Sequence, residues 1–332
     1  MGKPIVRYEA GQTAYPFEAL TKGADNLTYS ASFAPWSNVA GFEPVVGPYG
    51  LLTGGAITVN TGVDDSVTVA ALTAQMAGAS GANASTGVRS VSQGNVTISR
   101  GVSTDTHRIT SITVNSSGAL AAVAGVDHTA FSEVRGADGG PPLIPDGSIE
   151  IGQVRTTGVT AAEVLPAEIL QVPGLHQERS DYPVFEIDYA NGAVVFAEEL
   201  PAIHVGVIPK RVYARGATPL FSPAMYCSDW VPAEATFSVS SVDTYDGPVG
   251  SATSSLGQAS FTAQLKDGVT DAVLSKKGQE LWIEFRPDRD KTTPKQLTQG
   301  VLGVSRTFPA GGGGFSGSFT LTSRVQTVDV TE

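Results

Sequence analysis

The stretch VLGVSRTFPAGGGGFSGSFTLT, residues 301–322, predicts two β-strands joined by a run of four glycines. Apolar and polar residues alternate on both sides of the run, as they do in a hairpin with one buried face. The run is not a phosphate-binding P-loop, because it lacks the Gly-Lys-Ser/Thr ending and a strand follows it. We therefore interpret the run as a hairpin tip with unusual backbone freedom. It consists of Gly311, Gly312, Gly313 and Gly314.

Phe315 follows directly after these glycines. An aromatic side chain beside a flexible tip is commonly a contact anchor for a partner, or its ring folds back on its own sheet. The residue pattern leaves both alternatives open. Because four glycines lose much backbone entropy on ordering, we expect a tip that becomes ordered on assembly, with Phe315 as its anchor.

The composition favours β-structure over helices. The chain has 332 residues, of which 41% are apolar and only 16% charged, against a usual charged share of about 25%. Glycine and β-branched residues are abundant, as in folds of many short strands and tight turns. The length allows two domains.

Strands are predicted along most of the chain, and helices at three places. The predicted strands and hairpins lie at 56–62, 67–71, 94–101, 107–125, 184–200, 211–215 and 235–242. The 184–200 hairpin should turn at Asn191-Gly192, a pair that supplies the positive φ angles of a tight turn. The helical patterns are 69–80, 160–172 and 270–279.

Charge is divided unevenly along the chain. Residues 1–205 contain 9 Lys and Arg against 20 Asp and Glu, whereas residues 206–332 contain 12 of each, so the net charge of −11 belongs to the first part. No basic cluster of the kind that binds nucleic acid is present. Gly- and Pro-rich stretches at 43–50, 135–147 and 214–223 are the expected boundaries.

No targeting signal is visible in the sequence. The first twenty residues lack the apolar stretch of a secretory signal, Val6 does not fit the myristoylation pattern, and no run approaches the ~18 apolar residues of a membrane span. We expect a soluble chain made in the cytoplasm, without a membrane partner. Cys227 is the single cysteine, so a free, buried thiol is expected and no disulfide within the chain.

Catalytic and metal-binding patterns are not found. No two histidines have the spacing of metal ligands, and no serine lies in a Gly-x-Ser-x-Gly elbow. Paired carboxylates could serve a glycosidase or a calcium site, but Asp most often bonds its own backbone in turns. The pairs are Asp64 with Asp65, Asp243 with Asp246, and Asp288 with Asp290. We predict a protein that is not an enzyme and holds no cofactor or metal.

The last third of the chain has a recognisable order of elements. A strand is followed by a Gly-, Ser- and Asp-rich loop at about 243–257, a short helix at 270–277, and three strands that contain LWIEF (281–285), QGVLGVSRTF (299–308) and FSGSFTLT (315–322). This order resembles the tail tube (major tail) proteins of long-tailed bacteriophages. In that family the tube domain begins near the N-terminus, whereas about 200 residues precede it here.

The resemblance implies an all-β fold with a tail-tube-like antiparallel β-sandwich or barrel and one short helix, preceded by an extra β-rich domain. The expected division is an N-terminal arm at 1–45 that wraps a neighbour, an accessory β-rich domain at 46–205 and the tube-like domain at 206–332.

The resemblance also implies a structural role in the virion. Rings, hexameric in the family, would stack through the long loop into a tube that conducts DNA without binding it specifically. Asp243, Tyr245 and Asp246 of the loop would contact the next ring, and the hairpin that ends at Phe315 would join a sheet shared between subunits. The implied partners are further copies of the chain and the tail terminator, distal tail and tape measure proteins.

Other functions stay open at this point. A distal tail, adaptor or tail-completion protein on the same fold would stop at one ring. A tail-fibre enzyme or a carbohydrate-binding module would need a groove lined by aromatic residues, and Trp36, Trp230 and Trp282 are scattered along the sequence.

Overall fold

The computed structural model describes residues 2–76, 87–181, 183–207, 209–244, 247–311 and 313–331, with the backbone alone for 242–244 and 247–249. β-strands make up 51% of the structure, and the sheets are antiparallel, so the all-β prediction is confirmed. Within the described residues, helix is limited to two 3-10 turns, Pro166–Glu168 and Ala272–Lys276.

The strands of the described residues range in length from two to fifteen residues. In chain order they are β1 (Ile5–Ala19), β2 (Thr21–Lys22), β3 (Thr28–Ser30), β4 (Val45–Pro48), β5 (Gly50–Gly54), β6 (Ile57–Val59), β7 (Ser66–Val69), β8 (Leu72–Gln75), β9 (Val88–Val91), β10 (Gly94–Thr97), β11 (Arg108–Asn115), β12 (Leu120–Ala124), β13 (Ser148–Thr156), β14 (Ile169–Leu170), β15 (Phe185–Asp188), β16 (Ala193–Phe196), β17 (Val212–Ala224), β18 (Cys227–Val231), β19 (Ala235–Thr244), β20 (Gly247–Leu256), β21 (Ala259–Leu265), β22 (Glu280–Arg286), β23 (Lys295–Thr307), β24 (Phe315–Ser323) and β25 (Val328–Val330).

The largest sheet has nine strands. Its order is β18-β21-β24-β23-β22-β1-β17-β4, and β25 pairs with β23. The sheet does not close into a barrel. Strands on both sides of β23 share one core, because Val6 and Tyr8 of β1 pack in the same cluster as Phe261 of β21 and Phe319 of β24.

Five smaller sheets complete the fold. Their strand orders are β10-β7-β6, β5-β8-β9, β12-β11-β13-β14, β15-β16-β3-β2 and β19-β20. Two further apolar cores lie among the smaller sheets. One contains Leu51, Ile112 and Ile151, and the other contains Trp36, Phe196 and Val212.

Residues 5–19 of the expected N-terminal arm form strand β1. β1 pairs with β17 on one side and with β22 on the other, so it lies inside the largest sheet of its own subunit. The physical reason is burial, since the apolar side chains at the start of β1 complete the core under β22. Farther along, Phe17 packs on the Leu51 core and Leu20 lies in the Trp36 core. Residues 6–20 thereby connect all three cores.

The Gly- and Pro-rich stretch 214–223 is not a boundary, because it lies within β17. β4 pairs only with residues 212–215, and the Ala217 carbonyl accepts a hydrogen bond from the Ser37 N–H on that same side. Strand alternation directs the backbone of residues 219, 221 and 223 toward the same edge, and two of these are Pro219 and Pro223. Proline has no N–H to offer, so this edge resists pairing with another strand.

The three helical predictions fail in different ways. Residues 72–75 of the first are strand β8, between β5 and β9, with Leu72 and Ala74 buried on one face; positions 77–80 lie outside the described residues. The second shrinks to the turn Pro166–Glu168, with Pro166 at its first position, and leads into β14. The third is a single 3-10 turn, Ala272–Lys276. In the first two places strand pairing or proline outweighs local helix propensity.

Both predicted hairpins with clear turn signals are present. β15 and β16 pair across Asn191-Gly192, where Gly192 has a φ of +59°. β23 and β24 pair from Gly300↔Ser323 to Thr307↔Ser316, so the glycine run lies in the turn that joins them. The alternation of apolar residues thus predicts these strands correctly.

Candidate functional site

A long β-hairpin extends from the largest sheet. β19 and β20, each of ten residues, pair from Ala235↔Leu256 to Thr244↔Gly247. At the usual rise per residue the hairpin is about 33 Å long. In the described part of the chain no further strand pairs with it, and its side chains at 236–241 and 250–255 are exposed on both faces.

The expected loop at 243–257 is therefore wrong, because most of it is strand β20. Its sequence, GPVGSATSSL, reads as a loop through its Gly and Ser content. Cross-strand pairs stabilise it as a strand instead. On one face hydroxyl groups meet in three pairs at 2.8–2.9 Å: Thr236 with Ser255, Ser238 with Thr253, and Ser240 with Ser251.

The opposite face of the hairpin is apolar and has no core beneath it. Phe237 is 74% exposed and Val239 is 77% exposed, and their cross-strand neighbours are the small residues Ser254 and Ala252. Exposed apolar side chains grouped on one surface mark sites of interaction. A lone two-stranded hairpin is only marginally stable in water, so this element gains order when another surface covers it.

The hairpin edges carry little of the usual protection against strand pairing, and that little lies near the tip. Asp243 is the single charged residue in β19 and β20. Natural edge strands are blunted by charges, especially Lys, by proline or by bulges. Pro248, opposite Asp243 near the tip, is the single proline in the two strands. Backbone groups along the rest of both edges are free to join a strand of another molecule.

The base of the hairpin is anchored firmly. The Ala233 carbonyl accepts a hydrogen bond from the Thr327 N–H at 2.8 Å, and the Ala233 N–H donates to Thr327 Oγ1 at 2.8 Å. Leu256 packs on the core of the largest sheet. The hairpin therefore projects from a fixed point.

The predicted contact residues at the tip are covered only in part. The backbone of Asp243 pairs with Pro248, while its side chain, Tyr245 and Asp246 lie outside what the structure describes. The described tip residues belong to the same hairpin that presents Phe237 and Val239, which sequence reasoning did not select. The sequence signal for Phe237 and Val239 is their alternation with Ser238 in ATFSV. The same alternation also fits a strand whose apolar face packs on its own core.

The glycine turn lies at the end of the β23–β24 hairpin. Gly311, Gly313 and Gly314 are exposed, and Gly312 lies outside the described residues. A Cβ at Gly311 would meet nothing within 4 Å, so space alone does not require glycine there. None of Gly311, Gly313 and Gly314 has a positive φ angle either.

Phe315 packs against its own core while part of its ring stays exposed. Its ring meets the edge of the Phe308 ring, with centroids 5.6 Å apart, and Phe308 is 53% exposed. The contact of Phe315 with a neighbouring subunit stays a prediction.

Glu178 is the centre of a buried polar cluster away from the hairpin. Its carboxylate accepts a hydrogen bond from the Glu150 N–H at 2.7 Å, and its Oε1 lies 3.7 Å from His204 Nε2. Arg135 pairs with Glu150 at 2.5 Å, and Lys210 donates to the Arg179 carbonyl. These groups connect β13 with the segments before and after β15 and β16.

Burial controls the protonation of this cluster. It raises the pKa of Glu178 to about 7 and lowers the pKa of Lys210 to about 8, because both charged forms lose their hydration. Burial also raises the pKa of Glu150 and lowers that of His204. The cavity beside Glu178 has a volume of about 20 Å³, room for a water molecule and no substrate. We interpret the cluster as structural.

Two further buried carboxylates lie in the largest sheet. Glu9 is fully buried and accepts hydrogen bonds from the Trp282 N–H at 3.0 Å and from Ser37 Oγ at 2.5 Å. Glu284 bonds Arg7 and Arg286, each at 2.8 Å. Although burial acts in the opposite direction, the bonds from Arg286 and Arg7 lower the pKa of Glu284. Both carboxylates fasten strands together.

The structure also bears on the candidate metal ligands and paired carboxylates. Among the described residues no three His, Cys, Asp or Glu side chains form a group that could hold a metal ion. Asp288 accepts a hydrogen bond from the Asp290 N–H at 3.1 Å, as expected of a turn.

Cys227 is a free thiol, half-buried rather than buried, and burial raises its pKa to about 12. In the described residues no helix is long and apolar enough to cross a membrane.

Compared with known protein families, curated proteins and solved structures, the chain has no match.

Proposed function

We propose that the chain is a structural subunit that assembles with copies of itself and, following the resemblance of residues 227–332, forms the tail tube of a long-tailed bacteriophage. One observation carries this proposal: an anchored hairpin presents Phe237 and Val239 on a face with no core beneath it. A second copy of the chain is a partner able to bury that face and to pair with the hairpin edges.

On this proposal the subunits make two kinds of contact, within a ring and between rings. The subunits form a ring, hexameric as in the tube family, and the β19–β20 hairpin of one ring lies against the next. The tube belongs to the virion, passes genomic DNA without specific binding, and ends at tail terminator, distal tail and tape measure proteins. The subunit needs no cofactor for this role.

The composition of the chain supports such a role. A low share of charged residues favours extensive protein contacts over a solvated monomer. The proline edge of β17 blocks pairing at one side of the largest sheet, so that strand addition is directed to the hairpin.

Negative-stain electron microscopy and sedimentation of the purified chain test the proposal. Tubes or stacked rings with a central hole are expected. Rings that never stack would favour a distal tail, adaptor or completion protein on the same fold. A chain that stays monomeric at all concentrations would contradict self-assembly.

A shortened variant tests the role of the hairpin. Residues 236–255 are replaced by Asn-Gly, which closes a two-residue turn. Because the removed residues are exposed, the subunit should keep its melting temperature while stacking is lost. Tubes of normal length from this variant would place the stacking contact elsewhere.

A further inference from the structure

The largest sheet has a groove at the place where β17 leads into β18. β17 ends at Ala224, Met225 and Tyr226 form the turn, and β18 begins at Cys227. Among the strands that the structure describes, β18 pairs with β21 and not with β17. A groove of about 540 Å³ lies at this turn, walled by the start of β1, the end of β17 and the start of β18. We call it the turn groove.

The turn presents two large side chains to solvent. Met225 is 62% exposed and Tyr226 is 76% exposed. Tyr226 also has a φ of +54°, in the left-handed region that strains a bulky residue and that glycine adopts freely. The chain therefore holds an aromatic ring in solvent against the preference of its backbone. Strained positions of this kind collect at binding sites.

The rest of the turn groove is apolar with a cationic rim. Val6 and Ala224 are buried in its floor. Among the described residues that line it, two carry charge, Lys3 and Arg289, and both are exposed. The Arg289 N–H donates to the Lys3 carbonyl at 3.1 Å, which holds the two rim segments together. An apolar surface with a polar rim marks an interaction site, and this rim favours a partner without cations.

The β19–β20 hairpin has the matching chemistry. Its apolar face presents Phe237 and Val239. The charged residues of the hairpin sequence, 235–256, are Asp243 and Asp246, and both are acidic. An acidic, otherwise uncharged hairpin with an uncovered apolar face therefore complements an apolar groove with a cationic rim.

The hairpin and the turn groove lie at opposite ends of one pair of strands. β18 and β21 pair antiparallel from Cys227↔Ala263 to Val231↔Ser260. The hairpin is inserted after Val231, beyond one end of this pair, whereas the turn that precedes Cys227 lies at the other end. A subunit therefore cannot fold this anchored hairpin back into its own groove without leaving its base.

Surfaces at opposite ends of a subunit suit a head-to-tail contact. A contact between two different surfaces is heterologous and can continue from copy to copy. A contact of hairpin with hairpin is isologous, closes at two copies and leaves Met225 and Tyr226 uncovered. The tube proposed above requires the contact that continues.

We infer that the turn groove of one copy receives the apolar face of the β19–β20 hairpin of the next copy, with Phe237 against Met225 and Tyr226. The inference rests on the proposed function, because it names the surface that the hairpin contacts in the neighbouring copy. The two apolar surfaces that the subunit leaves uncovered thereby cover each other.

Two variants, each with one surface blocked, test this pairing by sedimentation and electron microscopy. Val239→Lys blocks the hairpin and leaves the groove intact, whereas Met225→Lys blocks the groove and leaves the hairpin intact. Each variant alone should associate at least roughly tenfold more weakly than the wild type. In a mixture, the intact hairpin of one variant meets the intact groove of the other. The mixture should therefore form complexes that stop at two copies, or at two rings.

The results separate the inference from the proposed function. Normal tubes from Met225→Lys alone would overturn the inference, as would a mixture in which the two variants do not bind each other while the wild type assembles. A wild type that stays monomeric would overturn the proposed function and this inference with it.

Tyr226→Gly separates assembly from folding. Glycine adopts the φ of +54° without strain, so the melting temperature should hold or rise, while association should weaken at least roughly tenfold because the ring is lost. Val207→Gly is the matched control, since Val207 has a φ of +55°, is 65% exposed and lies outside the groove. It should associate as the wild type does. Unchanged association in Tyr226→Gly would overturn the assignment.

Discussion

The carboxylate of Glu9 accepts a hydrogen bond from the backbone N–H of Trp282 at 3.0 Å, although the two residues are 273 positions apart. Glu9 is fully buried, and its second oxygen is bonded by Ser37. The first strand is therefore part of the same folded unit as the strands that resemble the tail tube domain.

The fragment 206–331 should not fold on its own. It lacks β1, so β17 and β22 lose the strand between them. We expect no cooperative thermal transition by circular dichroism. Joining residues 2–22 to this fragment through a Gly-Ser linker should restore a cooperative transition. Cooperative unfolding of 206–331 alone would show that the sheet is complete without β1.

The Glu178→Gln variant should change how stability depends on pH. Below about pH 4.5 Glu178 holds its proton in both states, so it contributes nothing to pH dependence. As the pH rises from about 4.5 to about 7, the unfolded chain loses this proton first, so the wild type loses stability, on the order of 1–3 kcal/mol. Lys210, with a pKa of about 8, stays charged across that window.

Denaturant unfolding at pH 4.5 and 7 measures this effect. The drop should be smaller in Glu178→Gln than in the wild type, and unchanged in Glu163→Gln. Glu150, His204 and Arg135 face the same cluster, so the comparison between variants is the informative one. Equal drops in Glu178→Gln and wild type would mean that Glu178 does not carry the pH dependence.

A charge on the apolar face of the hairpin should block assembly. Val239→Lys places an ammonium where we expect a neighbouring subunit, and association should weaken by about 2 kcal/mol or more. Ser240→Lys puts the same charge on the hydroxyl face of the next residue and is its matched control. Sedimentation of both variants measures the association. If Ser240→Lys weakens association more than Val239→Lys does, the hydroxyl face is the contact surface.

Phe315→Ala separates the two roles open to this side chain. Because the ring is half-buried, the subunit should lose about 1 kcal/mol of unfolding free energy. Assembly should weaken by about 2 kcal/mol if the ring anchors a neighbour. A subunit loss of about 3 kcal/mol, as for a core Phe, with unchanged assembly would place Phe315 wholly in its own core. Phe308→Ala, at its exposed ring partner, is the comparison.

Local patterns in the sequence predicted local structure well. Val304 and Phe319 alternate with polar neighbours and do pair across β23 and β24. Asn191-Gly192 supplies its turn as expected. Pairing between distant segments was not predictable, since nothing in IVRYEAGQTAYPFEA specifies β17 and β22 as its partners.

The candidate sites show the same limit. ATFSV predicts a strand with one apolar face, but only the fold reveals that no core covers Phe237 and Val239. Whether a strand face is buried or exposed depends on the tertiary structure, and the periodicity of apolar residues does not predict it.

The position of β1 has a consequence for synthesis on the ribosome. This strand emerges first, but β17, which ends at Ala224, emerges roughly 200 residues later and β22 roughly 270 residues later. At a translation rate of about 5–20 residues per second, β1 waits about 10–40 s for its first partner. During that interval the largest sheet cannot form, so residues 5–19 leave the ribosome without either of the strands that flank them in the folded subunit.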